Sequence, residues 1–100
     1  MSEIILTGKQ KRYLRSLGMD LDPIVQLGKG GIAESVVISA KQALTARELV
    51  KVRVLQNSPL DPSDAIYELG EATGALVVQV IGRNGLLYLP NEEKPVITLP

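Results

Sequence analysis

The sequence has 100 residues and equal numbers of basic and acidic side chains, 11 of each, so its formal net charge is zero. Its length fits one domain, its hydrophobic share of 45% can build a core, and the absence of cysteine and histidine excludes disulfides, zinc fingers, thiol nucleophiles and imidazole catalysis. No apolar run approaches the roughly 18 residues of a membrane span, and the N-terminus lacks the layout of a signal peptide, so we expect one cytoplasmic domain over residues 1–100 with a C-terminal tail at 90–100.

The first predicted element is a helix with a buried side and a basic side. Thr7 and Gln10 have the spacing of a capping box at its start, and Gly18 is placed to end it. With the helical period, one face carries the apolar side chains Tyr13, Leu14 and Leu17. The opposite arc carries Lys9, Lys11, Arg12 and Arg15, which we call the basic ridge.

A short strand at residues 24–27 leads through glycines into a second helix at about residues 32–44. The apolar side chains of this helix follow the 3.6-residue period and are Ile32, Val36, Ala40, Ala43 and Leu44. Ile38 falls on the polar side instead, which indicates a contact with a partner or with a neighbour in the fold.

Residues 49–55 alternate between two kinds of side chain. Val50, Val52 and Val54 point one way, and Lys51 and Arg53 point the other way. A period of two with β-branched residues predicts a half-buried strand. One face of the sheet is therefore expected to be packed, and the other face to be partly wet and basic.

The remaining segments predict a helix, two strands and a docked tail. The third helix should begin after Asp61, which can cap it, with Pro62 in its first position, and end at Gly74. Its apolar stripe is Ala65, Ile66, Leu69 and Ala72. Residues 75–81 are the most apolar and predict a central strand, and the Asn84–Gly85 pair predicts a hairpin turn into a last strand at 86–89. In the tail, docking is indicated by Val96, Ile97 and Leu99.

The predicted order of elements is αβαβαββ. An alternation of this length favours an α/β fold, a two-layer sandwich in which helices cover one face of a four-stranded mixed sheet. The balanced charge conceals an asymmetry, since residues 1–53 carry nine basic and five acidic side chains, a net of +4, whereas residues 54–100 carry two and six, a net of −4. Such asymmetry between halves is a hint of a nucleic-acid or membrane surface.

Gly28 and Gly31 form a G-x-x-G motif between the first strand and the second helix. Glycine allows close backbone approach and positive φ, a helix N-terminus favours an anion, and Lys29 adds a full charge. K-homology domains clamp a nucleic-acid backbone with a loop of this kind. A plain glycine turn is the structural alternative.

Two other glycine patterns compete with this one. Gly28-x-Gly30-x-x-Ala33 matches a dinucleotide fingerprint, but the acidic residue that should follow the next strand is missing at 55–57. Gly82-x-x-Gly85 lies between two strands and predicts a hairpin, at whose tip Arg83 could reach a phosphate. Because the chain has no phosphate-loop motif and no nucleophile–base pair, we expect no enzyme, no catalytic residue, no metal and no cofactor.

Five segments together form a pattern that spans nearly the whole chain: LTGKQKRYLR at 6–15, PIVQLGKGGI at 23–32, ELVKVRV at 48–54, TGA at 73–75 and VQVIGRNGLLYLP at 78–90. In these segments the sequence resembles the CRM domain family (chloroplast RNA splicing and ribosome maturation), in its bacterial stand-alone, YhbY-like form. The resemblance implies a fold similar to the C-terminal domain of initiation factor three. It also implies RNA binding through the G-x-x-G loop and association with precursors of the large ribosomal subunit.

Carried onto this sequence, the resemblance implies that RNA phosphates are clamped by Gly28, Lys29, Gly30 and Gly31. The footprint would be extended by the basic ridge (Lys9, Lys11, Arg12 and Arg15), by Lys51 and Arg53 on an open sheet face, and by Arg83. We expect a monomer whose partner is ribosomal RNA and not a membrane. The alternative is a protein-interaction module on the ribosome that uses Ile38 or the acidic third helix.

Overall fold

Three helices and four strands alternate along the chain in the computed structural model, which describes residues 4–100. In chain order they are α1 (Gly8–Met19), β1 (Val25–Leu27), α2 (Glu34–Arg47), β2 (Leu49–Val54), α3 (Pro62–Thr73), β3 (Leu76–Ile81) and β4 (Asn84–Tyr88). The predicted αβαβαββ order is confirmed, and residues 1–3 of the predicted domain lie outside the described residues. Within 4–100, no helix has both the length and the apolar character needed to cross a membrane.

The starts of α1 and α3 follow from local sequence signals. The Thr7 hydroxyl accepts a hydrogen bond from the Gln10 amide at 3.1 Å, and the Gln10 side-chain oxygen accepts one from the Thr7 amide at 3.0 Å, which completes the predicted capping box. α3 begins with Pro62 directly after Asp61 and ends at Gly74, whose φ of 78° lies in the left-handed region. The Asp61 side chain makes no cap hydrogen bond, so the predicted cap is wrong and the proline marks this start.

The strands form a mixed sheet in the order β1-β2-β4-β3. β1 and β2 are parallel, whereas β4 is antiparallel to both of its neighbours. The four-stranded mixed sheet is confirmed, but the prediction that residues 75–81 form a central strand is wrong, because β3 lies at an edge. Its apolar character has another cause, since Val77 and Val80 pack on one face of the sheet and Val78 packs on the other.

Apolar side chains cover both faces of the sheet. The first core joins α2 and α3 to one face and includes Leu44, Val50, Val52, Val54, Ile66, Leu69 and Leu87. The second core joins α1 to the other face through Leu14, Leu49, Leu86 and Tyr88. The prediction that all helices lie on one face is therefore wrong, and the sheet lies between two helical layers. The signal for this was Leu49, which is apolar although it shares a face with Lys51 and Arg53.

The close approach of α1 to the sheet depends on Gly18. A Cβ at this position would overlap the Leu86 side chain, and Gly18 is buried within α1. The prediction that Gly18 ends the helix is therefore wrong, because Met19 still belongs to it. Tyr13, which was predicted on the buried face, is 38% exposed, since Leu14 and Gly18 are the buried residues of this helix.

The β3–β4 hairpin turns earlier than predicted. Its two-residue loop is Gly82–Arg83, with a φ of 57° at Gly82, and Ile81 pairs with Asn84. Gly85 lies in β4, where a Cβ would be 2.6 Å from Cδ1 of Ile66 in α3. Gly85 therefore serves the packing of α3 on the sheet and not the turn.

The tail after β4 is held by a buried carboxylate. Glu48 follows α2 with a φ of 65° and is 1% exposed. Its carboxylate oxygens accept hydrogen bonds of 2.6 Å from the backbone amides of Asn91, Val96 and Ile97. Ile97 and Leu99 pack against the second core, which confirms the predicted docking for these two residues. The Val96 side chain is exposed.

Candidate nucleic-acid interface

The Gly28–Gly31 motif folds as a turn with an exposed corner after the carboxyl end of β1. The Gly31 amide donates a hydrogen bond of 3.0 Å to the Gly28 carbonyl, which leaves Lys29 and Gly30 at the two corner positions. Both corner residues are exposed. The corner therefore presents its backbone and one basic side chain to a ligand.

The three glycines of this turn differ in what the fold demands of them. Gly31 has a φ of 64°, and a Cβ there would also be 3.3 Å from Pro59. A Cβ on Gly28 would be 3.4 Å from Leu55. Gly30 has no positive φ, and nothing lies within 4 Å of a Cβ placed on it. The fold thus requires glycine at Gly31 but not at Gly30, where its absent side chain would instead serve the close approach of a ligand.

The second helix begins later than predicted. α2 starts at Glu34 and not at Ile32, after Ala33, which provides no side-chain cap. The turn is therefore separated from the helix, and Glu34 places a carboxylate in the first helical turn. Since that carboxylate offsets the partial positive charge of the helix N-terminus, α2 contributes less to anion binding than the sequence suggested. The positive charge at the turn comes from Lys29.

Two other loops share the end of the sheet with the turn. The Leu55 amide donates a hydrogen bond of 2.7 Å to the Leu27 carbonyl, which joins the end of β1 to the segment after β2. The Gly82–Arg83 loop reaches the same end because β4 is antiparallel to β2. The Val54 amide donates to the Arg83 carbonyl at 2.7 Å. These bonds fix the position of the turn relative to the sheet.

The Arg83 side chain has a structural role. Its Nε donates a hydrogen bond of 2.8 Å to the Val54 carbonyl, and its Nη2 donates one of 2.7 Å to the Leu55 carbonyl. The half-buried guanidinium is therefore held against the end of β2. It does not project freely from the hairpin tip as expected, and a contact with RNA would have to use the remaining donors of a fixed group.

α1 covers only part of its face of the sheet. The second core covers one half of this face, and α1 ends beside Lys51, whose Nζ donates to the Gly18 carbonyl at 3.4 Å. Gln26, Arg53 and Asn84 lie next to one another on adjacent strands beyond that point. Lys51 is half-buried and Arg53 is exposed. The expected wet and basic face is thus confirmed for this part alone, which we call the open patch (Gln26, Lys51, Arg53 and Asn84).

The basic ridge lies on the outer side of α1. Lys9, Lys11 and Arg12 are exposed and Arg15 is half-buried, as the helical period predicts. The ridge begins at Arg15, about one helical turn from the open patch, and extends about 9 Å along the axis to Lys9. The other end of α1 contacts the tail, where the Gln10 side-chain amide donates to the Pro100 carbonyl at 3.2 Å. The open patch therefore lies between the turn and the ridge.

Two polar members of the open patch were missed by sequence reasoning. Gln26 and Asn84 are far apart in the chain and become neighbours of Arg53 only through the strand register. The one available signal was the polar position of Gln26 inside a short apolar strand. Register across non-consecutive strands is set by tertiary pairing, which a single sequence does not display.

Two groups with shifted pKa values, Glu48 and Tyr88, lie at the end of the sheet opposite the turn. Although burial alone would raise the pKa of Glu48, backbone hydrogen bonds from Asn91, Ile97 and Val96 hold it below its ordinary value. Burial, followed by the nearby Glu48 charge, raises the pKa of Tyr88. Among residues 4–100, no three acidic side chains are grouped so that they could hold a metal ion. What the turn and the open patch offer a ligand is positive charge, side-chain amides and exposed backbone.

The chain is similar to several known proteins. The protein-family model that describes the CRS1 / YhbY (CRM) domain matches residues 6–88 of this chain. A Bacillus subtilis protein named "Probable RNA-binding protein YqeI" is 45% identical over 96 residues, which cover 96% of this chain and 100% of that protein. A Haemophilus influenzae protein named "RNA-binding protein" is 36% identical over 91 residues, which cover 91% of this chain and 92% of that protein. The solution structure of a hypothetical protein from Staphylococcus aureus matches with a TM-score of 0.78 and 49% identity, covering 96% of this chain and 100% of that one.

Proposed function

The chain belongs to the CRS1/YhbY (CRM) domain family, and we propose that it binds RNA through the Gly28–Gly31 turn and the open patch beside it. The relatives from B. subtilis and H. influenzae are named as RNA-binding proteins. The matching segment, residues 6–88, includes both the turn and the open patch. The surfaces proposed to contact RNA therefore lie inside the segment that matches the family.

The observation that carries the proposal is Gly30. Its backbone conformation and its surroundings accept a Cβ, so the fold gives no reason for glycine there. A phosphodiester backbone is recognised by backbone amides that approach it closely and by nearby basic side chains. Gly30 provides the approach and its neighbour Lys29 provides the charge, both at the exposed corner of the turn.

The charge distribution supports a narrow footprint. The turn, the open patch and the basic ridge contain seven of the nine basic residues in residues 1–53, the half with a net charge of +4. The acidic half supplies α3, which packs on the face of the sheet opposite the open patch, and the tail, which Glu48 holds at the other end of the sheet from the turn. Because non-specific affinity grows with the number of phosphates neutralised, a zero net charge favours RNA binding that is confined to one side of the molecule.

We extend the proposal to ribosomal RNA in precursors of the large ribosomal subunit, where the protein would assist assembly. The support for ribosomal RNA is the resemblance of the five sequence segments to stand-alone bacterial CRM proteins. The geometry of the turn itself is compatible with any phosphate backbone. The alternative is a module that binds ribosomal protein. The observation that favours it is Ile38, which is 49% exposed on α2 and has no role in either core.

Replacing Gly30 with alanine is expected to weaken RNA binding at least fivefold without lowering stability, because the added methyl group meets only the ligand. Replacing Lys29 with alanine should reduce the slope of log affinity against log salt by about 0.7–0.9, the contribution of one phosphate contact. Fluorescence anisotropy with labelled large-subunit ribosomal RNA, over a series of salt concentrations, measures both effects. Urea unfolding of each variant checks its stability.

Lys94→Ala is the matched control for these variants. Lys94 is also exposed, but it lies in the tail at the other end of the sheet, so its loss should leave both affinity and salt slope unchanged. If Gly30→Ala and Lys29→Ala bind RNA as the unaltered protein does, the turn is not the clamp. Equal effects of Lys29→Ala and Lys94→Ala would mean that only overall charge matters.

The assembly role has its own expected result. In a sucrose gradient of a cell extract, the protein should sediment with precursors of the large subunit, and Gly30→Ala should move it toward the top of the gradient. Treatment with ribonuclease should release it, because RNA is the proposed contact. Sedimentation with mature ribosomes alone would contradict the assembly role, and retention after ribonuclease together with release by Ile38→Ser would favour the protein-binding module.

A further inference from the structure

A small cavity lies between the end of α1 and the uncovered part of the sheet. Its volume is about 140 Å³, and its lining includes Met19, Lys51, Gln79, Ile81, Asn84 and Leu86. We call it the α1 pocket. Lys51 and Asn84 belong to the open patch as well, so the pocket opens onto the proposed RNA surface. A cavity of about 150 Å³ is known to take one benzene ring, so the α1 pocket has room for a single planar ring.

A β-bulge brings one polar side chain into the pocket. The register between β3 and β4 shifts between Val77 and Gln79. Val78 packs on the second core, and Gln79, the next residue, lines the pocket on the same face of the sheet. Regular alternation would send Gln79 to the opposite face, and bulges re-aim side chains in this way beside binding sites. Together with Asn84, Gln79 gives the pocket two side-chain amides that can donate and accept hydrogen bonds.

Exposed apolar side chains surround the same opening. Met19 is 80% exposed and Ile81 is 63% exposed, and both line the pocket. Ile24, 42% exposed, donates its amide to the Lys51 carbonyl at 3.1 Å, which places it next to the open patch. Phosphate contacts explain Lys51 and Arg53, but they do not explain apolar side chains at the same place. A nucleobase has apolar faces and a polar edge, so it complements both kinds of lining.

We propose that the α1 pocket holds one unpaired base of the bound RNA, an inference that rests on the proposed function. The faces of the base lie against Met19 and Ile81, and its edge meets the amides of Gln79 and Asn84. Arg53 lies between this site and the turn, and β4 is two strand spacings, about 10 Å, from β1. A single strand can therefore place a phosphate at the turn and a base in the pocket. Bases in a duplex are not available for such insertion, so the site selects single-stranded or bulged RNA.

The test compares single-stranded RNA with duplex RNA of the same sequence. Ile81→Ala and Gln79→Ala should each weaken binding of a short single-stranded RNA about fivefold to twentyfold, with an unchanged salt slope because neither removes a charge. An abasic substitution at one position of that RNA should cause a similar loss for the unaltered protein and little further loss for Ile81→Ala. Ile38→Ala, which removes an exposed isoleucine from α2, is the matched control and should bind normally.

Other results separate failure of the pocket from failure of the proposed function. If Gly30→Ala weakens binding but Ile81→Ala, Gln79→Ala and every abasic RNA do not, the turn binds RNA and the pocket is not a base site. Equal losses with duplex and single-stranded RNA would also overturn the base site. If the unaltered protein binds no RNA, both proposals fail. Loss of ribosome association in Ile81→Ala without any loss of RNA affinity would assign the pocket to a protein partner instead.

Discussion

Replacing Glu48 with glutamine is expected to lower the free energy of unfolding by about 2–4 kcal/mol at neutral pH. Three backbone amides, those of Asn91, Val96 and Ile97, donate to its carboxylate at 2.6 Å each. A glutamine side chain can present one oxygen, and its NH₂ group would face at least one of these donors. The tail would then lose part of its attachment, and a partly buried backbone amide would lose its acceptor. Urea unfolding monitored by circular dichroism measures the change.

The same substitution should flatten the dependence of stability on acid pH. Burial works to raise the pKa of Glu48, but the amides of Asn91, Ile97 and Val96 outweigh it and hold the pKa below its ordinary value. A carboxyl with a lowered folded-state pKa stabilises the fold above its unfolded-state pKa, and this contribution is lost as pH falls through the folded-state value. The unaltered protein should therefore lose stability as pH falls from the unfolded-state pKa through the lower folded-state pKa, and Glu48→Gln should lose less.

Glu92→Gln is the control for both measurements. Glu92 is an exposed carboxylate in the same tail, so its neutralisation should change stability by no more than about 0.5 kcal/mol. If Glu48→Gln has an effect as small as that of Glu92→Gln, the tail is not held by the Glu48 carboxylate. An unchanged pH profile in Glu48→Gln would likewise show that Glu48 titrates alike in the folded and unfolded chains.

Replacing Gly85 with alanine is expected to lower stability by about 1–3 kcal/mol, the usual cost of overpacking a core. The new Cβ would be 2.6 Å from Cδ1 and 2.7 Å from Cγ2 of Ile66, a side chain with 0% exposure. Rotation of the end of the Ile66 side chain would move Cδ1 but not Cγ2, so a larger shift of α3 or β4 would be needed. Gly30→Ala is the matched glycine replacement, since nothing lies within 4 Å of its Cβ, and it should leave stability unchanged.

A double-mutant cycle identifies Ile66 as the cause. Ile66→Ala alone should cost about 2–5 kcal/mol because it leaves a cavity. In that background Gly85→Ala should cost little, since its Cβ then occupies space that Ile66 has vacated. Thermal or urea unfolding of the four proteins gives the coupling energy. If Gly85→Ala costs the same in both backgrounds, the contact with Ile66 does not explain the glycine.

The elements of this fold that the sequence predicts well are those with local causes. The Thr7–Gln10 capping box and Gly74 at the end of α3 depend on residues a few positions apart, and both are confirmed. The alternation of β2 is also a local signal, and it is confirmed, since Val52 and Val54 are buried. These signals determine where helices and strands occur along the chain.

The features that the sequence did not predict depend on contacts between distant residues. Gly18 resembles a helix terminator until Leu86 is known to lie against it. Arg83 resembles a free basic residue until its bonds to the end of β2 are known. At the candidate site, Lys29 and Gly30 could be chosen from the local motif, whereas the α1 pocket arises from strand order, a bulge and the position of α1.

The position of β4 in the sheet has a consequence for the synthesis of the chain. β4 is the last strand to be translated, yet it lies between β2 and β3. Until it emerges from the exit tunnel, β2 has only β1 as a partner and β3 has no hydrogen-bonded neighbour in the sheet. Leu86, Leu87 and Tyr88, which belong to the two cores, are also absent until then. The domain therefore completes its fold only after β4 has been translated, and all three helices are made before the strand that joins the two halves of the sheet.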